Sequence, residues 1–272
     1  MFNNSKTSRL LASPYIAWAV IFIVVPLAMI FFYGLTDESG AFTLSNVTAI
    51  ARAENLKSLG LALVLALIST VICFLLAYPL AMILARNKIS SQGIITTLFI
   101  LPMWMNFLLR TMAWMTLLEN KGVINGILSF LGLPNINIIN TPAAIVIGMV
   151  YNFLPFMILP LYNSLARIDD NVINAARDLG ANAFQTFFKI TLPLTIPGIL
   201  SGITMVFIPA LTTFAISTML GGSKILLIGN VIEQEFTLSY DWNMGAGLSL
   251  VLMLFIIVNM VVTMMTDKSS YN

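Results

Sequence analysis

Six apolar runs, each long enough to cross a bilayer, constrain this chain more than any other feature. They are Pro14–Leu35, Ser58–Ala85, Gly93–Leu118, Pro142–Ala166, Ile196–Leu220 and Met244–Thr266, and Arg110 is the one charge inside them. A hydrocarbon core needs about 20 apolar residues per spanning helix. Backbone groups in hydrocarbon must also be satisfied within the segment, which selects helix. Charged residues make up 9% of the chain and apolar residues 59%. A water-soluble domain carries about a quarter charged residues. The sequence therefore predicts an all-α polytopic membrane protein with six transmembrane helices, forming one domain over residues 1–272.

The first run continues through Phe31, Phe32 and Tyr33. It exceeds the about 7–15 apolar residues of a signal peptide, so a retained helix is expected. Cys73 is the single cysteine, and no histidine occurs. Cys73 reads as a buried apolar filler. Thiolate metal clusters, histidine metal ligands and serine–histidine triads are excluded, and no metal site is expected.

Loop charges set the orientation. The amino-terminal tail, the 86–92 loop, the 167–193 loop and the carboxyl tail hold Lys6, Arg9, Arg86, Lys88, Arg167, Arg177, Lys189 and Lys268. The opposite loops, 36–57, 119–141 and 221–243, hold four basic residues against seven acidic ones. Both termini are expected in the cytoplasm, with net acidic loops outside.

The 167–193 loop is long for a helix connection. Asp169 and Asp170 suit a helix start. Ile173, Ala176, Leu179, Gly180, Ala183, Phe184 and Phe187 then recur at helical spacing, with Arg177, Asp178, Asn182 and Gln185 between them. This predicts a short amphipathic helix outside the bilayer. Gly180 is expected to allow close backbone approach, and Pro193 to stop the helix. One reading lays this helix on lipid. The other docks it in a protein groove, which suits the acidic residues beside Arg177.

Asn174-Ala175-Ala176, Gly180 four residues on, and Ile190-Thr191-Leu192-Pro193 carry a spacing. It resembles the EAA signature of ABC importer permeases: Glu-Ala-Ala, three residues, Gly, nine residues, Ile-x-Leu-Pro. Asn174 stands where the pattern has glutamate. An amide can cap or hydrogen-bond there but cannot form the glutamate's ion pair. The resemblance implies the type I ABC importer permease fold. It also implies that Asn174, Ala175, Ala176, Arg177, Asp178, Leu179, Gly180 and Phe184 form a coupling helix docking on an ATPase subunit. No phosphate-binding loop occurs in the chain, since Gly221-Gly222-Ser223-Lys224 lacks the required spacing. No enzymatic activity or cofactor is expected in this chain. ATP and Mg are expected on the partner ATPase.

Two longer segments, Leu101–Trp114 and Gly148–Tyr162, resemble helices three and four of the spermidine/putrescine (PotB-like) permeases, and Ala175–Ala181 and Leu220–Gly222 continue the match. The likeness implies polyamine import by alternating access in a bacterial inner membrane. The implied partners are a second homologous permease, two ATPase subunits on loop 167–193, and an extracytoplasmic binding protein at the outer loops. Membrane lipid surrounds the chain, and no nucleic acid is involved. Another importer cargo (ferric iron, a phosphonate or another cationic amine) remains an alternative. An ion-coupled secondary transporter lacks the expected intramembrane acids or histidines.

A polyamine needs aromatic faces and neutral oxygens along its path. Cation–π contacts contribute about 0.5–2 kcal/mol each. Trp104, Asn106, Trp114, Tyr151 and Asn152 are the candidates, with interfacial anchoring as the other reading of the aromatics. Arg110 is expected to act in structure or gating, paired with Glu119 or the partner permease, or snorkelling outward. Pro155, Pro160 and Pro209 mark helix breaks, either hinges or static kinks. Segment 119–141 predicts a short amphipathic outer helix through Val123, Ile127 and Phe130, bounded by Gly122 and Pro134.

Overall fold

The computed structural model describes residues 13–86, 103–222 and 224–269. The first ten residues of the third predicted run lie outside these, as do Lys6, Arg9, Lys88 and Ser223. Among the described residues the secondary structure is helical, apart from an isolated bridge between Thr36 and Phe42. They form two compact units. One holds the segments up to Leu56 and Val231–Phe255, and the other holds Lys57–Asn230 and the segment from Ile256 onward.

Among the described residues four helices are long and apolar enough to span a membrane: α1 (Ser13–Gly34), α2 (Ala53–Arg86), α5 (Pro142–Leu165) and the first twenty residues of α11 (Trp242–Ser269). A fifth span is available if α7 (Ala183–Leu194) and α8 (Ile196–Thr212), bent by 63° at their junction, count as one. Between these lie α3 (Phe107–Leu118), α4 (Val123–Phe130) and α6 (Asp170–Asp178), followed later by α9 (Ala215–Leu220) and α10 (Ile228–Thr237).

In the first unit, α1 exposes its apolar side chains from Tyr15 to Phe32, as a lipid-facing helix would. Gly34 ends it where a side chain would collide with Leu250 and Ala246 of α11. Asn243 Nδ2 donates to Tyr33 O at 3.1 Å and Thr36 O at 2.6 Å, tying down the carbonyls at the helix end. Two π turns, Val20–Val24 and Phe187–Thr191, each stand just ahead of a proline, Pro26 and Pro193. A proline ring clashes with the carbonyl four residues back, and a widened turn moves that carbonyl away.

The core of the second unit lies between α5 and α8. Met149, Met157, Ile158 and Leu161 pack there with Val206 and Leu211, and Ile216 and Leu220 of α9 close one end. Gly198 and Gly202 let α8 approach α5: a side chain at 198 would strike Ser164 and the Pro160 carbonyl. Small residues at helix contacts are the membrane solution to close packing. Cys73 is buried, its sulfur 3.8 Å from Val150 O, in keeping with a filler role.

Three local expectations change. The fifth run is broken at Thr213 and Phe214, between α8 and α9, rather than being one helix to Leu220. Pro209 lies one turn before that break, and Pro155 and Pro160 lie inside a continuous α5. The 221–243 segment is not a plain loop, because α10 begins with buried Ile228, Gly229 and Asn230. Asn230, 2% exposed, closes the break: its Nδ2 donates to Phe214 O at 3.1 Å and Thr218 Oγ1 at 2.8 Å. Its Oδ1 accepts from Leu227 N at 3.0 Å and from the Ser217 hydroxyl.

Candidate functional site

The 167–193 segment folds as two helices, not one. Asp169 Oδ1 accepts from Asn171 N at 2.9 Å and starts α6. Asp170 in the first turn and Arg177 in the last complement the helix dipole. At the far end Gly180 N donates to Arg177 O at 2.9 Å and Ala181 N to Ala176 O at 3.0 Å. This is a Schellman stop, and it needs the left-handed conformation that Gly180 supplies at φ +84°. A side chain at Gly180 would meet nothing within 4 Å. Its role within the chain is therefore backbone conformation rather than close approach. Asn182 and Gln185 then form a reciprocal capping box, at 2.8 and 3.0 Å, that starts α7. Pro193 does not stop α7, which continues to Leu194; the break falls at Thr195.

The α6–α7 corner presents unsheltered apolar groups. Leu179 is 89% and Phe184 71% exposed, while Ala176 is buried. Asn174, Ala175, Arg177 and Asp178 are also exposed. Behind the corner the aromatic rings are continuous. Phe184 meets Phe188 at 4.4 Å, Phe188 meets Phe187 at 4.9 Å, and Phe187 meets Tyr78 of α2 edge-on at 5.6 Å. The Tyr78 hydroxyl lies 2.9 Å from Thr195 Oγ1, at the 63° bend. Sequence periodicity marked the segment but neither its corner nor this ring series, since Tyr78 lies more than 100 residues earlier in the chain.

The five candidate path residues divide. Trp114 and Tyr151 come together, rings 5.3 Å apart and T-shaped, across α3 and α5. Asn152 is buried beside them, with Nδ2 donating to Gly148 O at 2.9 Å and lying 3.5 Å from Thr111 Oγ1. Its Oδ1 is buried without a partner. Trp104 is exposed and stands apart. Asn106 caps α3, its Oδ1 accepting from Leu108 N at 2.8 Å and Leu109 N at 3.3 Å, so that oxygen is already engaged. Arg110, 8% exposed, does not snorkel, and among the described residues it makes no ion pair with Glu119; its Nε is buried without a partner.

Two further features escaped the sequence pattern. In α4 the buried residue is Asn125, which bonds Ile136 through both its amide atoms, at 2.9 and 2.8 Å. Phe130, by contrast, is 90% exposed. In the first unit a cavity of about 650 Å³ is lined by Glu38, Glu235 and Asp241 together with Tyr33, Tyr240 and Trp242. Glu38 comes from the turn after α1, whereas Glu235 at the end of α10 and Asp241 just before α11 lie about 200 residues later in sequence. Among the described residues no group of His, Cys, Asp and Glu is arranged to hold a metal.

Residues 77–268 match the family described as binding-protein-dependent transport system inner membrane component. The chain is 40% identical over 245 residues to the spermidine/putrescine transport system permease protein PotB of Escherichia coli, covering 87% of this chain and 89% of that one. It is 35% identical over 255 residues to the Haemophilus influenzae PotB, covering 91% and 89%. Its fold is that of a bacterial ABC transporter involved in the import of the polysaccharide alginate, with a TM-score of 0.74 at 19% identity and coverage of 98% and 96%. A second alginate transporter structure, in complex with a pentasaccharide-bound periplasmic protein, aligns with a TM-score of 0.76 at 17% identity and coverage of 95% and 93%.

Proposed function

Because the chain belongs to the family of binding-protein-dependent inner membrane components, the permease subunits of ABC importers, we propose that it forms half of a polyamine path driven by a separate ATPase. The observation that carries this reading is the α6–α7 corner. A helix stopped by a Schellman turn holds Leu179 and Phe184 out into solvent. Exposed apolar groups on a capped, rigid corner suit insertion into a protein cleft.

The corner lies on the cytoplasmic side, as the loop charges indicate, and both termini lie there with it. ATP and Mg bind the ATPase pair, which closes and carries the corners of this chain and of a second permease together. The ring series Phe184–Phe188–Phe187–Tyr78 and the Tyr78–Thr195 contact give that motion a packed route to α2 and to the α7–α8 bend. Arg110 holds a structural or gating position, with its Nε buried within this chain and without a hydrogen-bond partner.

A polyamine cargo is supported by the relatives' spermidine/putrescine function and by the acid- and ring-lined cavity. Rings and carboxylates are the groups that hold organic ammonium ions. On the path itself the edge-paired Trp114 and Tyr151 supply weak sites, which favour passage over retention. An extracytoplasmic binding protein delivers the cargo. The test is uptake of labelled spermidine into proteoliposomes holding the complete complex and its binding protein. ATP-dependent spermidine uptake is expected. Uptake driven by a proton gradient without ATP would overturn the importer reading. ATP-dependent uptake of ferric iron or a phosphonate instead of spermidine would overturn the cargo.

A further inference from the structure

A cavity of about 380 Å³ lies behind α6, where two spanning helices end: Arg86 is the last residue of α2, and Leu165 the last of α5. Its polar lining is Arg86, Arg177, Asn174, Asp170 and Thr191, and its apolar wall includes Met82, Leu165 and Ile173. Among the described residues neither arginine is in an ion pair, whereas Asp170 is already partnered. Thr191, 5% exposed, has a buried Oγ1 with no hydrogen-bond partner. The position of Asn174 matters here. The signature that this segment resembles has glutamate at that place, and the side chain there lines the same cavity as both arginines. With an amide at 174, Asp170 is the one carboxylate in the lining against the two arginines.

From this geometry we infer that the cavity binds a phosphate group, supplied by the headgroup of an anionic lipid. Two guanidinium groups, an amide and an unpaired hydroxyl are donors suited to phosphate oxygens. The apolar wall stands where the spanning helices α2 and α5 end, and basic pockets between helices on the cytoplasmic face recognise such headgroups. The lining residues of α6 are Ile173, Asn174 and Arg177. The knobs Leu179 and Phe184 lie past its end, so a docked ATPase and a bound lipid need not compete. The inference rests on the proposed cytoplasmic placement of α6 but not on the cargo.

The test uses the complete permease–ATPase complex in nanodiscs of phosphatidylcholine, with or without phosphatidylglycerol, and separately with inorganic phosphate. Retained lipid is read by native mass spectrometry and thermal stability by unfolding midpoint. The wild type is expected to retain phosphatidylglycerol and to gain stability from it. Arg86→Gln with Arg177→Gln should lower retention about tenfold. Asn174→Glu, which supplies an internal carboxylate at an exposed position, should do the same, and Arg86→Gln alone, at a residue outside the docking helix, should lower retention while keeping the ATPase subunits. A matching stabilisation by inorganic phosphate alone would keep the site and replace the lipid by the free ion. Equal phosphatidylglycerol retention in wild type and the variants overturns the inference. Loss of the ATPase subunits with lipid retention unchanged also overturns it, and assigns the arginines to an acidic group of the ATPase. Loss of the subunits through Leu179→Asp alone bears on the docking corner, not on this cavity.

Discussion

Asn230 Nδ2 donates to Phe214 O at 3.1 Å, across the gap where α8 gives way to α9. A helix broken inside a span leaves carbonyls without donors, which is tolerated only where other groups supply them. Phe214 O also accepts from Thr218 N at 2.9 Å. Asn230 adds to that bond and uses its full amide capacity to fix the start of α9, while Gly229 beside it packs on the Thr212 and Thr213 carbonyls. Asn230→Leu keeps the size but removes the bonds. Each buried group left unpaired costs about 1–3 kcal/mol. A lowered unfolding midpoint in detergent and reduced yield are expected, and Asn230→Asp should also lose stability because both donor bonds go. An unchanged midpoint in Asn230→Leu would show that the break is held by packing alone.

The helical membrane class was legible because hydrophobic runs are local signals. The starts of α5 and α6 were legible for the same reason, since Pro142 and Asp169 mark them in sequence. The break at Thr213 was not, because its cause sits about 17 residues away in Asn230, within a segment that reads as an acidic loop. Gly180 was legible as a special position, but its reason changed. The sequence cannot separate a glycine needed for contact from one needed for φ +84°. The pairing of Trp114 with Tyr151, and the separation of Trp104 from both, depends on how α3 meets α5. No pattern within either segment encodes that.

The exposed knobs of the α6–α7 corner give the docking prediction. Burying a leucine or phenylalanine side chain contributes about 1.5–3 kcal/mol. Leu179→Ala and Phe184→Ala should each weaken capture of the ATPase subunits by about ten- to a hundredfold. Co-purification at graded salt and detergent measures this. Ala176→Leu should act differently: Ala176 is buried, so the larger side chain destabilises α6 itself. Full capture by the Leu179→Ala, Phe184→Ala double variant would remove the corner as the docking surface.

At Gly180 the left-handed backbone, not crowding, sets the cost of substitution. Gly180→Ala should destabilise the corner by about 1 kcal/mol, and Gly180→Asn by less, since Asn tolerates this region. Amide exchange across residues 176–183 in the assembled complex is the measurement. If Ala and Asn perturb exchange equally, while both abolish ATPase capture, the glycine is needed for contact with the partner.

The turn at residues 37–43 predicts a pH response. Asp37 Oδ1 accepts from the Ser39 hydroxyl at 2.6 Å and from Ser39 N and Ala41 N at 2.9 Å. These bonds, the Ser39 hydroxyl first, hold its carboxyl below the ordinary value of 3.8. A lowered folded pKa means that the turn is fully supported above the unfolded value and loses support as pH falls through the folded one. Carbon NMR of labelled aspartate should show Asp37 titrating below 3.8 and shifting up in Ser39→Ala. Titration at or above 3.8 in the wild type would mean that the charged form is not favoured by the turn.

Two glycines on one face of α8 should respond unequally to the same change. At Gly198 a new methyl would strike Ser164 and stand 2.9 Å from the Pro160 carbonyl. That carbonyl is part of the α5 backbone and cannot withdraw without moving the helix. At Gly202 the nearest atom is Met157 Sδ at 2.6 Å, on a long side chain with freedom to turn. Alanine gains about 1 kcal/mol over glycine in a helix interior, whereas overpacking costs about 1–3 kcal/mol. Gly198→Ala should therefore be destabilising, and Gly202→Ala near neutral once Met157 turns. Gly202→Ala combined with Met157→Leu tests the turning, because the shorter side chain removes the obstacle. Thermal unfolding in detergent separates the outcomes. Equal losses at both positions would show that α5 and α8 yield as rigid bodies, and that the flexible thioether relieves nothing.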